Sequence, residues 1–473
     1  MNETKISEIL ECLKKSPTFN MSRGGRELFH TNFLAFILDA EHKDDCKSYE
    51  AEVKRLILQQ LFGVENTPKN VITFRERSNL DLIIVPALDQ PNNIKKVVII
   101  EAKLKSIPTF EQLEKYNRKF ESGLKLELFE EVEIKTNNRK NLEYEFSISG
   151  ISLKLSKTIL NSCSLILISE YKNNDRPCEL VDVTLCRFLL APKTISTIKL
   201  EPWILIDWYQ FLVDITNELS SFLPEEKSIF GQLIEDYINS TMALLDLVKQ
   251  VNERCQEFFQ ETISWSDFLT FAVNRNDFKR MRLHDLVGKV AYHSLQNRLI
   301  RDLEQDKELN KTYEGFKLDS YTFYSRSQAG IGIQYKMYKG KQAFSLGIQL
   351  QGNDYRHFIE RNNCINPEDD LIACANIIKS WICINKKDAK GKKNNGFGVF
   401  DKTKFVYQHI KLGSSEFNKF NDADLANKSL KYSDLLNKIK LSLNEAIQEI
   451  GNEEFLSKFV GKATLIGETQ NGV

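Results

Sequence analysis

The most constraining feature of this chain is an apolar run, Val97–Ile100, that ends in the charged triplet Glu101-Ala102-Lys103. Side chains alternate between the two faces of a β-strand, so Glu101 and Lys103 are expected on one face and Ala102 on the other. A second apolar run directly follows Asp81, and turn-forming residues separate the two runs. This pattern predicts a hairpin that brings Asp81 beside Glu101.

Two carboxylates beside an amine suit a metal-dependent phosphodiesterase. Mg²⁺ binds few protein ligands and keeps several waters, so the oxygens of Asp81 and Glu101 would suffice to hold it, with Mn²⁺ as a substitute. Lys103 would orient or help deprotonate the attacking water. A cross-strand ion pair on a solvated strand explains the same residues without any function. Because Lys103 is expected to be exposed, Lys103→Ala should abolish turnover and leave the fold intact.

Two predicted helices flank this pair of strands. In the helix at 25–40, Glu27 and His30 are three residues apart and share a face. In the helix at 109–122, Gln112 and Tyr116 share a face at four-residue spacing. Structural roles stay open for three of these residues. Glu27 also fits a first-turn helix acid, His30 a buried hydrogen-bonded histidine, and Tyr116 a packed ring.

The order and spacing of these motifs resemble the PD-(D/E)xK nuclease superfamily. The similarity is greatest to its prokaryotic branch with an N-terminal Glu-x-x-His helix and a Gln-Leu-x-x-Tyr helix, and it covers about residues 20–215. It implies an α/β fold, a restriction-endonuclease-like core with a mixed central sheet flanked by helices. The chain departs from the pattern at Lys105, which follows Lys103 on the same face, and in the charged segment 117–160.

The resemblance implies a role for each matching position. Asp81, Glu101 and the backbone carbonyl of Ala102 would hold the metal, with Glu27 as a further acidic ligand. Lys103 would serve the water, His30 would assist the metal or phosphate, and Gln112 and Tyr116 would support the site or touch the nucleic acid. Candidate phosphate contacts are Arg75, Arg77 and Lys105.

The length of 473 residues predicts more than one domain. We expect a nuclease-like domain at 1–200, a helical connecting region at 201–265 that includes a helix from Trp203 to Phe222, and an α+β domain at 266–473. Strands are expected at 321–324, 330–335 and 344–350, with Gly330 and Gly332 as sheet glycines. The lysine-rich stretch 386–396 fits either a phosphate contact or a solvated loop.

Composition limits the classes of protein to which the chain could belong. The 65 basic and 65 acidic residues cancel, so nucleic-acid binding would depend on local patches rather than on the overall charge. Nine cysteines without a Cys-x-x-Cys pair predict reduced thiols rather than a zinc site, and neither a signal peptide nor a membrane span is apparent. These features predict a cytoplasmic protein.

Two functional hypotheses follow. The first is a Mg²⁺-dependent deoxyribonuclease, with DNA favoured over RNA, whose family resemblance suggests defence against phage or foreign DNA. Its C-terminal domain would select the substrate, or would bind a regulatory protein or a second copy of the chain. The second is a nucleic-acid-binding or sensing protein on a nuclease-like scaffold with little or no catalysis.

Overall fold

The computed structural model describes separate stretches of the chain. They are residues 3–22, 28–39, 48–75, 81–86, 96–103, 113–115, 117, 125–127, 151–155, 164–169, 181–192, 203–220, 227–272, 275–325, 328–339, 342–352, 354–362, 368–378, 381, 397–400, 405–411 and 430–461. The chain divides into two compact units, residues 2–249 and residues 250–473. Their boundary lies within the predicted connecting region 201–265.

The first unit is α/β. Its helices are α1 (Glu3–Lys15), α2 (Pro17–Ser22), α3 (Leu28–Asp39), α4 (Tyr49–Phe62), α5 (Trp208–Leu219) and most of α6 (Ile229–Phe259), and a 3₁₀ turn spans Val64–Asn66. Its strands are β1 (Val71–Arg75), β2 (Leu82–Pro86), β3 (Lys96–Ala102), β4 (Lys125–Glu127), β5 (Ile151–Leu155), β6 (Ser164–Ser169), β7 (Val181–Ala191) and β8 (Trp203–Asp207). Residues 113–115 and 117 are also helical.

These strands form one mixed sheet in the order β1-β2-β3-β7-β6-β5-β4, with β8 beside β7. The pairs β1–β2 and β2–β3 are antiparallel, whereas β3 runs parallel to β7. The predicted mixed sheet flanked by helices is therefore confirmed. The antiparallel β2–β3 pair also confirms the predicted strand pairing, while the turn at residues 89–93 lies outside the described residues.

One face of this sheet packs against helices. Ile100 of β3, Phe188 of β7 and Ile206 of β8 share that face, and apolar residues of the helices surround them. The contributions from the helices are Leu34 and Leu38 of α3, Ile57 and Leu61 of α4, and Phe211 of α5. Every residue of β3 from Val97 to Ala102 is buried. A strand that is buried on both faces has a continuous apolar sequence, which explains why residues 97–100 are all apolar.

The predicted helix from Trp203 to Phe222 is wrong over its first five residues. Trp203–Asp207 is strand β8, which pairs in parallel with β7 from Arg187 to Ala191. Helix α5 begins at Trp208, where the Asp207 side chain accepts a hydrogen bond from the amide of Tyr209 (3.3 Å). The apolar run before Asp207 fits a strand as well as a helix, and Asp207 is the N-cap signal that separates the two.

The second unit is α+β, as predicted. Its helices are the last residues of α6, α7 (Trp265–Ala272), α8 (Asn276–Arg280), α9 (His284–Glu304), α10 (Glu368–Ile377), α11 (Tyr432–Ile450) and α12 (Glu453–Val460). Its strands are β9 (Lys317–Ser325), β10 (Gln328–Lys339), β11 (Gln342–Gln351), β12 (Asp354–Asn362), β13 (Phe397–Phe400) and β14 (Phe405–Lys411). They form an antiparallel sheet in the order β13-β14-β12-β11-β10-β9. The lysine-rich stretch 386–396 lies outside the described residues.

Gly330 and Gly332 lie in β10 as sheet glycines, which confirms that prediction. A Cβ atom on Gly330 would come within 2.5 Å of the Phe323 ring, and one on Gly332 within 2.3 Å of the Tyr321 ring. Both rings belong to the neighbouring strand β9. Glycine is needed here because an aromatic side chain occupies the space above it.

In the described ranges, no helix combines the length and apolar character needed to cross a membrane. Among the same residues, Cys12, Cys186, Cys255 and Cys374 are free thiols.

A buried histidine connects the sheet of the second unit to helix α11. His357 of β12 stacks on Trp381, with ring centroids 4.0 Å apart. Its Nδ1 lies 3.1 Å from the carbonyl oxygen of Trp381, and its Nε2 lies 3.0 Å from the hydroxyl of Ser442. The pKa of His357 is lowered to about 4, chiefly by burial; the hydrogen bond to the Trp381 carbonyl opposes this shift, and the ammonium of Lys438 adds to it. The imidazole is therefore neutral at pH 7.

This burial predicts a loss of stability on acidification. The folded-state pKa of His357 lies below the unfolded value, so the unfolded chain binds this proton first as the pH falls below about 6.5. The free energy of unfolding should fall by about 3 kcal/mol between pH 6.5 and pH 4 because of this group. Hydrogen exchange of β12 in the parent and in His357→Gln would measure the difference. Equal pH dependence in the two proteins would contradict the assignment.

Candidate active site

The end of strand β3 carries the acidic side chains of the site. Asp81 comes directly before β2, and the pairing of Leu82 with Ile100 places Asp81 next to Glu101. The Asp81 carboxylate accepts a hydrogen bond through Oδ2 from the amide of Ala102, at 3.0 Å. This bond continues the contact between the two strands past the last paired residue. The structure thus brings Asp81 to Glu101-Ala102-Lys103, as the hairpin prediction requires.

Lys103 connects the two carboxylates. Its Nζ lies 2.7 Å from Oε1 of Glu101 and 3.9 Å from Oδ2 of Asp81. Its backbone amide donates to the carbonyl of Leu190 in β7, at 2.9 Å, so the chain stays in the sheet at this residue. Glu101 and Lys103 therefore project from the same face of β3, as strand alternation predicted.

The expectation that Lys103 is exposed is wrong. Its exposed fraction is 5%, and that of Glu101 is 1%. Glu101 lies on the central strand β3, between β2 and β7, and Lys103 directly follows this strand. A buried ion pair behaves differently from a surface pair, because removing one partner leaves an uncompensated charge at low dielectric.

The donor set fits a hard divalent cation. Oxygens of Asp81 and Glu101 both lie within 4 Å of one point, the Lys103 ammonium, so they converge on a small volume. Two carboxylates and one ammonium leave one net negative charge, which favours binding of a cation. Within the described ranges no group of three or more His, Cys, Asp and Glu side chains comes together. A site with two carboxylates matches the preference of Mg²⁺ for few protein ligands and several waters.

His30 lies in an aromatic environment on helix α3. Its ring contacts Trp208 edge to face, with centroids 5.3 Å apart, and its Nδ1 lies 3.3 Å from the hydroxyl of Tyr237. The side chain is buried. These contacts fit the structural alternative for His30. Its proposed role at the metal stays a prediction.

The other predicted site residues divide into two groups. Arg75 is exposed at the end of β1, and its pairing with Leu82 places it at the same end of the sheet as Asp81. Strand alternation directs it to the face opposite Asp81. The remaining predicted residues lie outside the described ones: Glu27, Arg77, Lys105, Gln112 and Tyr116.

Sequence reasoning missed a polar cluster on the same face of the sheet. Asn117 accepts hydrogen bonds through Oδ1 from Nη1 of Arg187 (2.9 Å) and from Nε1 of Trp203 (3.0 Å). All three side chains are buried. One signal was available, because Arg187 is a single charged residue within the apolar run Cys186–Ala191. Its partners Asn117 and Trp203, 70 and 16 residues away along the chain, could not be identified from that signal.

Comparison with known proteins identifies the fold family of this region. Residues 18–237 match the family model described as the PD-(D/E)XK nuclease superfamily. No curated protein and no solved structure matches the chain. The matched range contains β1 to β8 and every candidate site residue.

The buried pair predicts a specific stability pattern. Lys103→Met should lower the free energy of unfolding by about 3–5 kcal/mol, because it leaves the Glu101 carboxylate buried without its ammonium partner. The double variant Glu101→Gln/Lys103→Met removes both charges and should recover most of this loss. Urea denaturation followed by circular dichroism would measure the three proteins. Equal losses in the single and double variants would show that the ion pair does not determine stability.

Proposed function

Because residues 18–237 belong to the PD-(D/E)xK nuclease superfamily, we propose that this chain is a Mg²⁺-dependent nuclease that hydrolyses phosphodiester bonds of DNA. Members of this superfamily generally use divalent metal ions. The observation that carries the proposal is the convergence of Asp81, Glu101 and Lys103 at the ends of two paired strands. Rigid strands hold catalytic groups more accurately than loops do.

Asp81 and Glu101 would hold the metal, together with the carbonyl of Ala102 and with Glu27. When bound, a divalent ion polarises the phosphate and lowers the pKa of water that it coordinates. The protein contributes the placement of the oxygens. The bond from Ala102 to Oδ2 of Asp81 fixes one carboxylate, and the contact between Lys103 and Oε1 of Glu101 fixes the other.

Lys103 would act on the water and on the developing charge. An ammonium next to the scissile phosphate stabilises the negative charge that builds on its oxygens in the transition state. The same ammonium can orient the attacking water through an N–H group. Burial strengthens both effects, since the local dielectric is lower than in bulk water. His30, Gln112 and Tyr116 would support this arrangement.

DNA binding would depend on local basic residues, because the whole chain is neutral. Arg75 would be one such contact; it is exposed at the end of the sheet where Asp81 lies, on the opposite face from Asp81. Arg77 and Lys105 would add further phosphate contacts. Such contacts release counterions, so binding should weaken as the salt concentration rises.

A cleavage assay tests the proposal directly. The full chain should cut linear, circular or single-stranded DNA in Mg²⁺ or Mn²⁺ and should be inactive with a chelator, with RNA as the comparison substrate. Asp81→Asn, Glu101→Gln and Lys103→Met should each lower the rate by about 100-fold or more, as expected for removal of a group that stabilises the transition state. Rates are compared per folded fraction, because Lys103→Met also removes a buried charge.

Lys96→Met provides a matched control. Lys96 lies on the same strand, but its ammonium bonds the carbonyl of Leu61 in helix α4, on the other face of the sheet (2.7 Å). This variant should cut within about threefold of the parent, because uniform stability effects leave the transition state unchanged. Nucleic-acid binding without cleavage in any metal would instead support the second hypothesis, a sensing protein on a nuclease scaffold.

The biological setting belongs to the same proposal. Defence against phage or foreign DNA rests on the family resemblance alone, and so does the cytoplasmic location. Residues 266–473 would select the substrate or bind a regulatory protein or a second copy of the chain. If defence is the function, the parent should protect a bacterial host from phage, and the folded Asp81→Asn variant should not.

A further inference from the structure

We propose that Arg187 and Asn117 are positioning residues of the Asp81–Glu101–Lys103 site. With Trp203 they form a buried clamp that fixes the helical residues 113–115 and 117 over the face of the sheet that carries the site. The inference rests on the proposed nuclease function for its consequence in catalysis. Its structural part can be tested separately.

Strand register places the clamp and the site on one face. Arg187 of β7 pairs with Ile99 of β3 and, on its other side, with Trp203 of β8. Ile99 and Glu101 point to the same face because they are two residues apart on one strand. Arg187 therefore lies one strand away from Glu101 and two residues earlier. Strand spacings put their Cα atoms about 8 Å apart.

Asn117 connects the helical residues to strands β7 and β8 through hydrogen bonds. Its Oδ1 accepts from a guanidinium N–H of Arg187 and from the indole N–H of Trp203, so one oxygen connects the segment to β7 and β8. The exposed fractions are 8% for Asn117 and 2% for Arg187. Leu113, one helical turn earlier, is also buried. The segment is thus anchored by an apolar contact and by a directional polar one.

The energetic cost of burying this polar cluster indicates that it positions the helical residues. Burying a guanidinium costs several kcal/mol, and well-packed apolar residues in its place would often give equal or greater stability. Hydrogen bonds to a fixed oxygen restrict the rotation and translation of the helical segment in a way that apolar contacts do not. Asn117 directly follows Tyr116 and the Gln-Leu-x-x-Tyr pattern. Fixing Asn117 therefore fixes the helical residues 113–115 and 117 relative to Glu101.

Two substitutions at Asn117 separate positioning from general stability. Asn117→Asp keeps an oxygen that accepts from both donors, whereas Asn117→Leu has a similar size and accepts from neither. We expect Asn117→Leu to lower kcat by about 100-fold with KM within about threefold, since misplacement by about 1 Å costs this much. Asn117→Asp should keep kcat within about threefold of the parent.

Thr18→Val is the matched stability control. Thr18 is buried in the same unit, and its hydroxyl donates to the carboxylate of Asp236 at 2.7 Å. Losing this bond should lower Tm without changing kcat per folded molecule. The proposal is overturned if Asn117→Leu and Thr18→Val lower Tm equally and also leave kcat equally unchanged. It is likewise overturned if Asn117→Asp loses as much kcat as Asn117→Leu.

Hydrogen exchange tests the clamp without substrate. The amide of Ala102 donates to Asp81, so its exchange rate reports directly on the geometry of the site. Asn117→Leu should speed exchange at residues 97–103, 113–115 and 117 by about tenfold or more relative to Asn117→Asp, while α1 stays protected. Equal protection in both variants would show that no clamp exists. If the parent fails to cleave any nucleic acid but this exchange pattern holds, the nuclease function fails and the clamp stands.

Discussion

Three charged side chains lie buried on one face of the β3–β7 strand pair: Glu101, Lys103 and Arg187. A buried ion costs several kcal/mol unless a partner of good geometry compensates it. Glu101 and Lys103 compensate each other, and the guanidinium of Arg187 bonds Asn117. The need to satisfy these charges therefore constrains where the surrounding elements pack. The contacts that compensate these buried charges are also the contacts that shape the candidate site.

The two faces of the sheet have different roles in the first unit. Helices α3, α4 and α5 cover the apolar face around Ile100 and Phe188. Burial of such apolar surface is the dominant favourable term in folding. The opposite face carries the charges and the helical residues 113–115 and 117. Since adjacent residues of β3 project to opposite faces, the burial of Ile100 and Ala102 on the apolar face holds Glu101, which lies between them, and Lys103, which follows, in place. A site of this kind is rigid without depending on its own polar contacts alone.

Local patterns predicted much of this arrangement. Strand alternation predicted that Glu101 and Lys103 share a face, and two apolar runs separated by turn residues predicted the antiparallel pair that brings Asp81 to them. The prediction of a helix from Trp203 failed because the local sequence fits a helix and a strand equally well. Trp203–Asp207 has the apolar character of either a helix or a strand, and pairing with β7 decides for the strand. The roles of Glu27, Gln112 and Tyr116 remain predictions, because those residues lie outside the described part of the chain.

The sequence by itself determined the local geometry that Asp81, Glu101 and Lys103 share, because strand periodicity acts over two or three residues. The sequence of residues 18–237 also matches the family model of the PD-(D/E)XK nuclease superfamily. Only the tertiary structure decided that Lys103 is buried and that Arg187, Asn117 and Trp203 meet. Both outcomes depend on strand order, which places β7 between β3 and β8. Strand order is set by the burial of the whole sheet, a sum over distant residues that no single segment contains.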